Sequence, residues 1–390
     1  MKQETKAKQP KKPNIILRLL AVLLTGALVL GAAALIVYRD ELNLNALKRW
    51  LTYRDLETSE TGQAEPFTHA GGDRLSLAYL ENGILTASAA GAHYYSFSGD
   101  LFAEEVVAMD NPILSASDKA GVVYDAGGQS LFLFRGTEET FDLTLEGSGD
   151  LLSARVNDSG WLAVTAQQSG YKGAVTVYDQ EGEKVIQISL SSTFVMDAAI
   201  SPDCKTVAVV TMDQEGGRFS SQVLFYPVNQ KEPSAQTDLD GITVLDLDYE
   251  SGALWVLGED RILTVDPSSG SVQGSYSFSR SYLKGCSFGP EGYALLLTGR
   301  YQAGEANEAI TVASDGTPLA CMELNTPVLD CSGAGDYFAL LTGSQLQIFD
   351  RQAQSYASLD TTQGARYAAL SPDGSALLAN AQQAWLYIPN

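Results

Sequence analysis

Histidine and cysteine are scarce in this sequence, and the motifs that usually carry catalysis are missing. Its 390 residues include two histidines, His69 and His93, and four cysteines. No G-x-S-x-G elbow, HExxH pair, P-loop or EF-hand spacing occurs. We therefore expect no enzyme activity, no cofactor and no metal ion. A hydrolase or lyase with an unrecognised site is the alternative.

The four cysteines follow no metal-binding or redox pattern. Cys204, Cys286, Cys321 and Cys331 include no CxxC pair and no metal-ligand spacing. Cys286 and Cys331 occupy near-equivalent places in two adjacent repeats of the sequence. We expect four free, partly buried thiols, with a bridge between Cys286 and Cys331 as the alternative in an oxidising compartment.

Basic residues are scarce beyond the first 39 positions. Lys and Arg total 25 against 47 Asp and Glu, so the formal net charge is −22. Residues 1–39 hold seven of the bases and one acid, which leaves 18 bases, 46 acids and a net charge of −28 in residues 40–390. Because binding to phosphates requires Lys and Arg, this composition excludes nucleic acid as a partner. It also disfavours contact between the acidic part and anionic lipid headgroups.

One long uncharged run lies near the N-terminus. Residues 19–38 carry no charge, and with Ile15–Leu17 they can cross a hydrocarbon core of roughly 30 Å. Six basic residues precede the run, so the positive-inside rule predicts a cytoplasmic tail at 1–14 and a transmembrane signal-anchor helix at 15–38. The lipid bilayer is then a partner, and the chain is a single-pass protein of the cell membrane with its C-terminal part extracellular. A cleaved signal peptide ending near Ala32–Ala34 is the alternative.

Residues 39–64 are predicted to form a short juxtamembrane helix and a linker. Leu47, Trp50 and Leu51 recur at helical spacing, and Asn45 can cap the start of this amphipathic helix. Ser59–Ala64 is a short polar segment of the kind that links folded units.

The texture changes from residue 65 to residue 390, where strand-like runs alternate with turns at a period near 40 residues. Each repeat has the pattern of four strands, as in SARVNDSG-WLAVTAQ-AVTVYDQEG-EKVIQISL. Four-stranded units that stack radially bury both faces, so we predict an all-β fold, a β-propeller of eight four-stranded blades. Seven blades and a pair of β-sandwiches are the alternatives. The last repeat lacks its fourth strand, which the segment around Phe67–Ala70 can supply.

The first strands of the repeats suggest a polar ring. The first strand of a propeller blade is the innermost one, so its polar side chains should surround one mouth of the central channel. The candidate ligand-binding residues are Ser115, Ser153, Asp197, Asp246, Lys284, Asp330 and Arg366. This mixed ring fits a small polar ligand. The alternative is a water-filled channel whose polar lining solvates itself.

The order of segments resembles a known family. It runs from the apolar segment through LNALKRWLTYRDLE to VNDSGWLAVTAQQSGYKGAVTVYDQEG and DAAISPDCKTVAVV. These segments resemble a domain-of-unknown-function family of membrane-anchored extracytoplasmic β-propellers from anaerobic Gram-positive bacteria. The resemblance implies a propeller exposed at the cell surface, and it brings no established activity, substrate or catalytic residue.

Three functions remain open at this point. The first is an interaction module, a monomeric propeller that binds a protein or a cell-envelope polymer. The second is a receptor for a small polar ligand at the channel mouth. The third is the hydrolase or lyase. Tyr171 and Lys172, in a loop between second and third strands, could present an aromatic ring and a cation to a partner; an ordinary hairpin loop is the alternative.

Overall fold

The computed structural model describes residues 22–26, 44–72, 74–145, 149–215, 217–239, 241–289 and 292–389. The chain divides into two units, residues 1–52 and 53–390. Residues 22–26 are helical, and a second helix spans Leu44–Tyr53. Within the described residues, no helix has both the length and the apolar character needed to cross a bilayer. The predicted membrane helix at 15–38 falls, apart from 22–26, outside the described residues.

The helix Leu44–Tyr53 lies where the sequence predicts an amphipathic helix. Leu47, Trp50 and Leu51 are all exposed on it. Asn45 lies inside the helix rather than before it, so Asn45 is not the cap that its position suggested. Tyr53, the last residue of the helix, belongs to the second unit. The Tyr53 ring is buried, and its Oη is 2.6 Å from the Oη of Tyr79 in that unit.

The second unit is an eight-bladed β-propeller, as predicted. In the part of the chain that the structure describes, thirty-two strands form eight antiparallel four-stranded sheets. The first strand of each blade contacts the first strand of the next blade around the whole ring, so the ring is closed.

Seven blades consist of four consecutive strands. Blades 1 to 4 are β2–β5 (Ser76–Leu80, Gly83–Ser88, Gly91–Tyr95, Leu101–Glu105), β6–β9 (Pro112–Ala116, Ala120–Asp125, Ser130–Arg135, Glu138–Thr144), β10–β13 (Leu151–Val156, Leu162–Ala166, Gly173–Tyr178, Lys184–Leu190) and β14–β17 (Phe194–Ile200, Thr206–Glu215, Arg218–Pro227, Ala235–Leu239). Blades 5 to 7 are β18–β21 (Val244–Glu250, Ala253–Gly258, Arg261–Val265, Val272–Ser277), β22–β25 (Tyr282–Gly289, Tyr293–Gly299, Glu308–Ala313, Pro318–Glu323) and β26–β29 (Val328–Ala334, Tyr337–Thr342, Leu346–Asp350, Ser355–Leu359).

Blade 8 joins the two ends of the propeller. It contains β30–β32 (Tyr367–Leu370, Ala376–Ala379, Gln383–Tyr387) and, as its fourth strand, β1 (Phe67–Thr68). Phe67 pairs with Ala384 and Thr68 with Gln383, which confirms that the segment before the first repeat completes the last one. The segment predicted as a linker also pairs here, because Gln63 forms a bridge with Tyr387. The closure leaves β32 without an open edge.

The core lies between the blades. In the cluster between blades 4 and 5, Val210 and Phe225 pack with Leu247, Leu254 and Val256. Burial of each such side chain contributes about 1.5–3 kcal/mol relative to an exposed one. The second strands supply much of this core, which explains why they are the most apolar runs of each repeat.

The antiparallel order gives the propeller two distinct faces. The starts of the first strands and the connections from second to third strands lie at one edge of every blade; we call the surface that they form the mouth face. The connections from first to second and from third to fourth strands form the opposite face.

Candidate functional site

A β-bulge decides which side chains line the channel. The first strands of blades 3 to 7 each contain a bulge near the mouth face. The bulged residues are Leu152, Met196, Leu245, Lys284 and Leu329. The next residues, which resume the pairing, are Ser153, Asp197, Asp246, Gly285 and Asp330. Four of the predicted ring residues therefore share one structural position, and Lys284 does not share it.

The structure brings three of the predicted residues together around Arg155, which the sequence analysis did not select. Arg155, on the first strand of blade 3, donates hydrogen bonds from Nε and Nη2 to Asp197 Oδ2 at 2.9 and 2.7 Å. Its Nη2 also donates to Asp246 Oδ1 at 2.6 Å. Ser153 Oγ donates to Asp197 Oδ1 at 2.5 Å. One guanidinium thus joins the first strands of blades 3, 4 and 5; we call these four residues the Arg155 cluster.

The electrostatics of the Arg155 cluster favour a structural role. Burial lowers the pKa of the Arg155 guanidinium, but the carboxylates of Asp197 and Asp246 outweigh this effect and leave the pKa above its ordinary value. Asp248, two residues along the same strand as Asp246, lies near this cluster. Burial raises the pKa of Asp248 to about 6, although Arg155 and the Tyr249 N–H lower it. These charges compensate one another, which fits a clamp between blades better than an open ligand site.

Asp330 is also held within the protein. Its Oδ1 accepts a hydrogen bond from the Cys331 N–H at 2.9 Å, and its Oδ2 accepts one from the Ala368 N–H of blade 8 at 2.8 Å. Burial raises the pKa of this carboxyl group, and the two N–H donors lower it. Asp330 therefore links blades 7 and 8.

Lys284 serves a loop of the mouth face. Its Nζ donates a hydrogen bond to the carbonyl oxygen of Gln302 at 2.7 Å, in the connection between β23 and β24. Gly285 takes the ring position instead, and a Cβ there would lie 3.3 Å from Cys331 Sγ. The sequence pattern placed Lys284 in the ring because it could not reveal the inserted residue of the bulge.

Ser115 and Arg366 occupy other levels of their strands. In blade 4, the backbone hydrogen bond that closes the turn between the first and second strands is donated four residues after Asp197. In blade 2, the corresponding hydrogen bond is donated only two residues after Ser115. By the same measure Tyr367, not Arg366, is the equivalent of Asp197, and Arg366 is exposed. The structure therefore joins Ser153, Asp197 and Asp246, and leaves Ser115, Lys284 and Arg366 outside their cluster.

A cavity of about 320 Å³ opens between blades 6 and 7. Lys284, Glu305 and Asp330 supply the charged groups of its wall, and Val328 and Leu329 supply part of its apolar surface. The cavity combines both signs of charge with an apolar wall, and it contains two of the predicted ligand-binding residues.

Exposed apolar side chains gather on the mouth face. Those at the starts of first strands or in connections from second to third strands are Ile113, Tyr171, Phe194, Met196, Phe219, Leu245, Tyr282, Tyr301 and Leu329. All of them except Ile113 belong to blades 3 to 7, and we call these eight side chains the apolar sector. The other exposed large apolar side chains of the propeller lie on or just after fourth strands, at Leu101, Phe102, Val106, Val185, Val272 and Leu319.

The opposite face is acidic. Its described connections carry the exposed acids Glu81, Asp100, Asp118, Asp158, Glu181, Glu183, Asp203, Asp315 and Asp336. Some of these carboxylates shape the turns; Asp315 Oδ1, for example, accepts a hydrogen bond from the Thr317 N–H at 2.8 Å. The mouth face thus carries eight exposed aromatic and aliphatic side chains in five neighbouring blades, whereas those near the opposite face lie at the starts of fourth strands, one or two to a blade.

The histidines are buried, whereas Cys204, Cys286 and Cys331 are half-buried and Cys321 is exposed, so the expectation of four partly buried thiols is wrong for Cys321. His69 and His93 lie where blades 8 and 1 meet, and the Nε2 atom of His69 is 3.0 Å from the Asn380 carbonyl oxygen. All four cysteines are free thiols. Burial raises the pKa of Cys331 to about 12, with a contribution from Asp330, and burial also raises the pKa of Cys286. Such thiols are poor nucleophiles. Within the described residues no group of His, Cys, Asp and Glu could hold a metal ion.

Sequence reasoning missed Arg155, the place of Asp248 near it, and every member of the apolar sector except Tyr171. Arg155 and Asp248 lie two residues after the ring position of their strands, so a search for polar residues at every second position would have found them. The apolar sector has no such signal, because its residues come from different parts of five repeats.

Solved structures with the same fold share little sequence with this chain. The C-terminal WD40 domain of Sif2 has a TM-score of 0.59 and 12% identity, and the match covers 84% of this chain and 99% of that one. The computationally designed Ika8 protein has a TM-score of 0.58 and 13% identity, with 85% and 98% covered. A eukaryotic initiation factor has a TM-score of 0.53 and 14% identity, with 81% and 84% covered. These likenesses show a WD40-like propeller fold and carry no function.

A search of curated proteins gives no sequence match. A family pattern does match residues 52–364, which include most of the propeller. The chain therefore belongs to the family described as "Family of unknown function (DUF5711)".

Proposed function

We propose that this protein is a membrane-anchored, extracytoplasmic β-propeller that acts as an interaction module and not as an enzyme. The observation that carries the proposal is the gathering of eight exposed apolar side chains on the mouth face, in five neighbouring blades. Exposed apolar groups that cluster on one face of a folded protein mark an interaction surface. The uncharged run at 19–38 and the bases ahead of it support the anchor and its orientation.

The proposed partner is a protein or a polymer of the cell envelope that meets the mouth face. Aromatic residues and methionine are enriched at the centres of protein interfaces, and both occur in the apolar sector. The Arg155 cluster closes its own hydrogen bonds, so the channel lining itself has little left to offer a macromolecule.

The test compares two variants of the full-length chain, purified with an affinity tag from detergent-solubilised membranes of the native cell. Met196→Glu with Leu329→Glu adds two negative charges to the mouth face, and Lys119→Glu makes the same change of charge on the opposite face. We expect co-purifying molecules to be lost from the first variant and kept by the second. An unchanged set in the Met196→Glu, Leu329→Glu variant would contradict the proposal. Protease added to intact cells should cleave the propeller, and complete protection would contradict the location.

A receptor for a small polar ligand is the second candidate. The cavity between blades 6 and 7 supports it, because Lys284, Glu305 and Asp330 could pair with a zwitterion such as a free amino acid. Titration calorimetry of the full-length chain with a panel of amino acids tests this function. Binding that is lost in Glu305→Gln would support it, and an absence of heat across the panel would exclude it.

A further inference from the structure

Asp330 differs from the two carboxylates that share its position in the first strands. Asp197 and Asp246 both accept hydrogen bonds from Arg155, which compensates their charge. Asp330 accepts hydrogen bonds from two backbone N–H groups, and among the described residues no Lys or Arg forms an ion pair with it. A carboxylate has about four lone-pair sites, so both oxygens of Asp330 can accept a further hydrogen bond.

The residues that correspond to Arg155 in the neighbouring blades do not serve Asp330. Arg155 lies two residues after the ring position of blade 3, and it reaches the first strands one and two blades further on. One and two blades before Asp330, the corresponding residues are Ser287 and Asp248. Ser287 Oγ accepts a hydrogen bond from the Gly333 N–H at 2.8 Å, and Asp248 is itself an acid. Asp330 therefore lacks the counter-ion that the fold supplies in blades 4 and 5.

A cavity of about 240 Å³ opens beside Asp330, between blades 8 and 1. Its wall contains Asp330 and also Ala368, the residue whose N–H donates to Asp330 Oδ2 at 2.8 Å. Ser76 and Tyr367 bring hydroxyl groups to the same wall. The remaining residues of the wall are aliphatic: Leu75, Leu77, Ala369, Leu377 and Ala379. The wall thus combines one carboxylate with a largely apolar surface.

The nearby bases and metal ions do not fit this cavity. Lys284 lines the other cavity that Asp330 borders, and its Nζ donates to the Gln302 carbonyl oxygen at 2.7 Å. Arg366 is exposed and lies outside the wall. A calcium ion takes about six to eight oxygen ligands, and one carboxylate in an aliphatic wall does not supply them. Because a partly buried charge is costly without a partner, the occupant should be an organic cation with an apolar chain.

We propose that this cavity binds a primary alkylammonium ion, with the ammonium group on the Asp330 carboxylate and the alkyl chain against the leucine side chains of blades 8 and 1. The volume corresponds to roughly eight water molecules at about 30 Å³ each, which is room for a short chain. An ammonium group has three N–H donors, and Asp330, Ser76 and Tyr367 are acceptors in the same wall. The inference does not rest on the interaction module, and its cavity is not the one between blades 6 and 7.

The experiment is titration calorimetry of the full-length chain, purified in a neutral detergent, with straight-chain alkylammonium ions from ethyl to hexyl at neutral pH. Each added methylene group should tighten binding about fourfold until the chain fills the cavity, because each one leaves water for an apolar wall. Pentanol has a chain of the same length as pentylammonium and carries no charge. It should bind about tenfold or more weakly than pentylammonium, since it forms no charge-assisted hydrogen bond with Asp330.

Three variants locate the binding. Asp330→Asn removes the charge and should weaken the binding of pentylammonium about tenfold or more. Ala369→Leu keeps the carboxylate and fills part of the cavity, so it should reduce the gain from the longer chains. Asp360→Asn is the matched control, because Asp360 is an exposed acid in the connection between blades 7 and 8, and it should leave binding unchanged. Thermal melts show which variants fold as the parent chain does.

Other outcomes overturn the inference in distinct ways. An absence of binding to the parent chain would mean that water alone fills the cavity. Equal binding of pentanol and pentylammonium, or equal binding by Asp330→Asn and the parent chain, would remove the carboxylate from the site. Unchanged affinities in Ala369→Leu would place the alkyl chain elsewhere. Glu305→Gln should keep the binding of pentylammonium, and a loss there would move the ligand to the cavity between blades 6 and 7.

Discussion

Removal of the Arg155 side chain is the sharpest test of how the blades are held together. In Arg155→Ala, Asp197 Oδ2 and Asp246 Oδ1 lose the donor that they share. The side chain of Arg155 is only 25% exposed and that of Asp197 only 17%, so water replaces the lost partner incompletely. Loss of one member of a fully buried pair costs about 3–5 kcal/mol, and an exposed pair contributes about 0–1 kcal/mol. For this partly buried cluster we expect a loss of about 2–3 kcal/mol.

This loss can be measured as a shift of the thermal midpoint of the full-length chain. An unfolding entropy of about 2.1 cal/mol/K per residue, over the residues 53–390 of the second unit, converts 1 kcal/mol into about 1.4 °C. Arg155→Ala should therefore lower the midpoint by about 3–4 °C at pH 7.5. Arg261→Ala is the matched control, because the side chains of Arg261 and Asp260 are 39% and 34% exposed, and it should lower the midpoint by about 1 °C or less. A loss equal to that of Arg261→Ala would refute the clamp.

Three further predictions follow from burial in the propeller. Burial raises the pKa of Asp248 to about 6, so the free energy of unfolding should fall as the pH rises from about 4 to 6. Asp248→Asn removes this charge. It should raise the thermal midpoint at pH 7.5 by the equivalent of about 1–3 kcal/mol and give no gain at pH 4. A lower midpoint at pH 7.5 would contradict this sign. Burial lowers the pKa of His93 below its ordinary value of about 6.5. The stability that neutral His93 contributes should therefore be present in full above that pH and decrease below it. Thermal melts of the parent chain and of His93→Gln between pH 5 and 8 measure this decrease. An equal decline in His93→Gln would assign the effect to other groups. Trp385 is buried in blade 8 and Trp50 is exposed, so denaturant unfolding should give a loss of about 3–5 kcal/mol for Trp385→Ala and less than about 0.5 kcal/mol for Trp50→Ala. Equal losses would show that the closing blade does not carry the stability expected of it.

The repeats could be predicted because their information is local. Each blade needs apolar runs of four to seven residues and turns with Gly, Asp or Pro at fixed places, and both are visible in the sequence. The missing fourth strand of the last repeat was enough to predict closure by Phe67–Ala70, since an open edge would be left otherwise. The short helix was also predicted, although its start was misplaced by the expected cap at Asn45.

The candidate site could be predicted only in part. Ser153, Asp197, Asp246 and Asp330 share a position, as their spacing from the turns indicated. Lys284 missed that position by one residue, because the bulge inserts a residue that spacing alone does not locate. Contact between Arg155 and Asp246 joins residues 91 positions apart, across three blades. No pattern within one repeat contains that information.

The amino-acid sequence by itself determined the strands, the number of repeats and the way in which the ring is closed. Those features depend on residues that are neighbours in the chain, whose alternation and turn chemistry act over a few positions. Tertiary structure alone decided which charged groups of different blades meet and that exposed apolar groups of five blades gather on one face. The reason is that bulges and strand lengths set the register and the height of each blade, and contacts between blades exist only after those have been fixed.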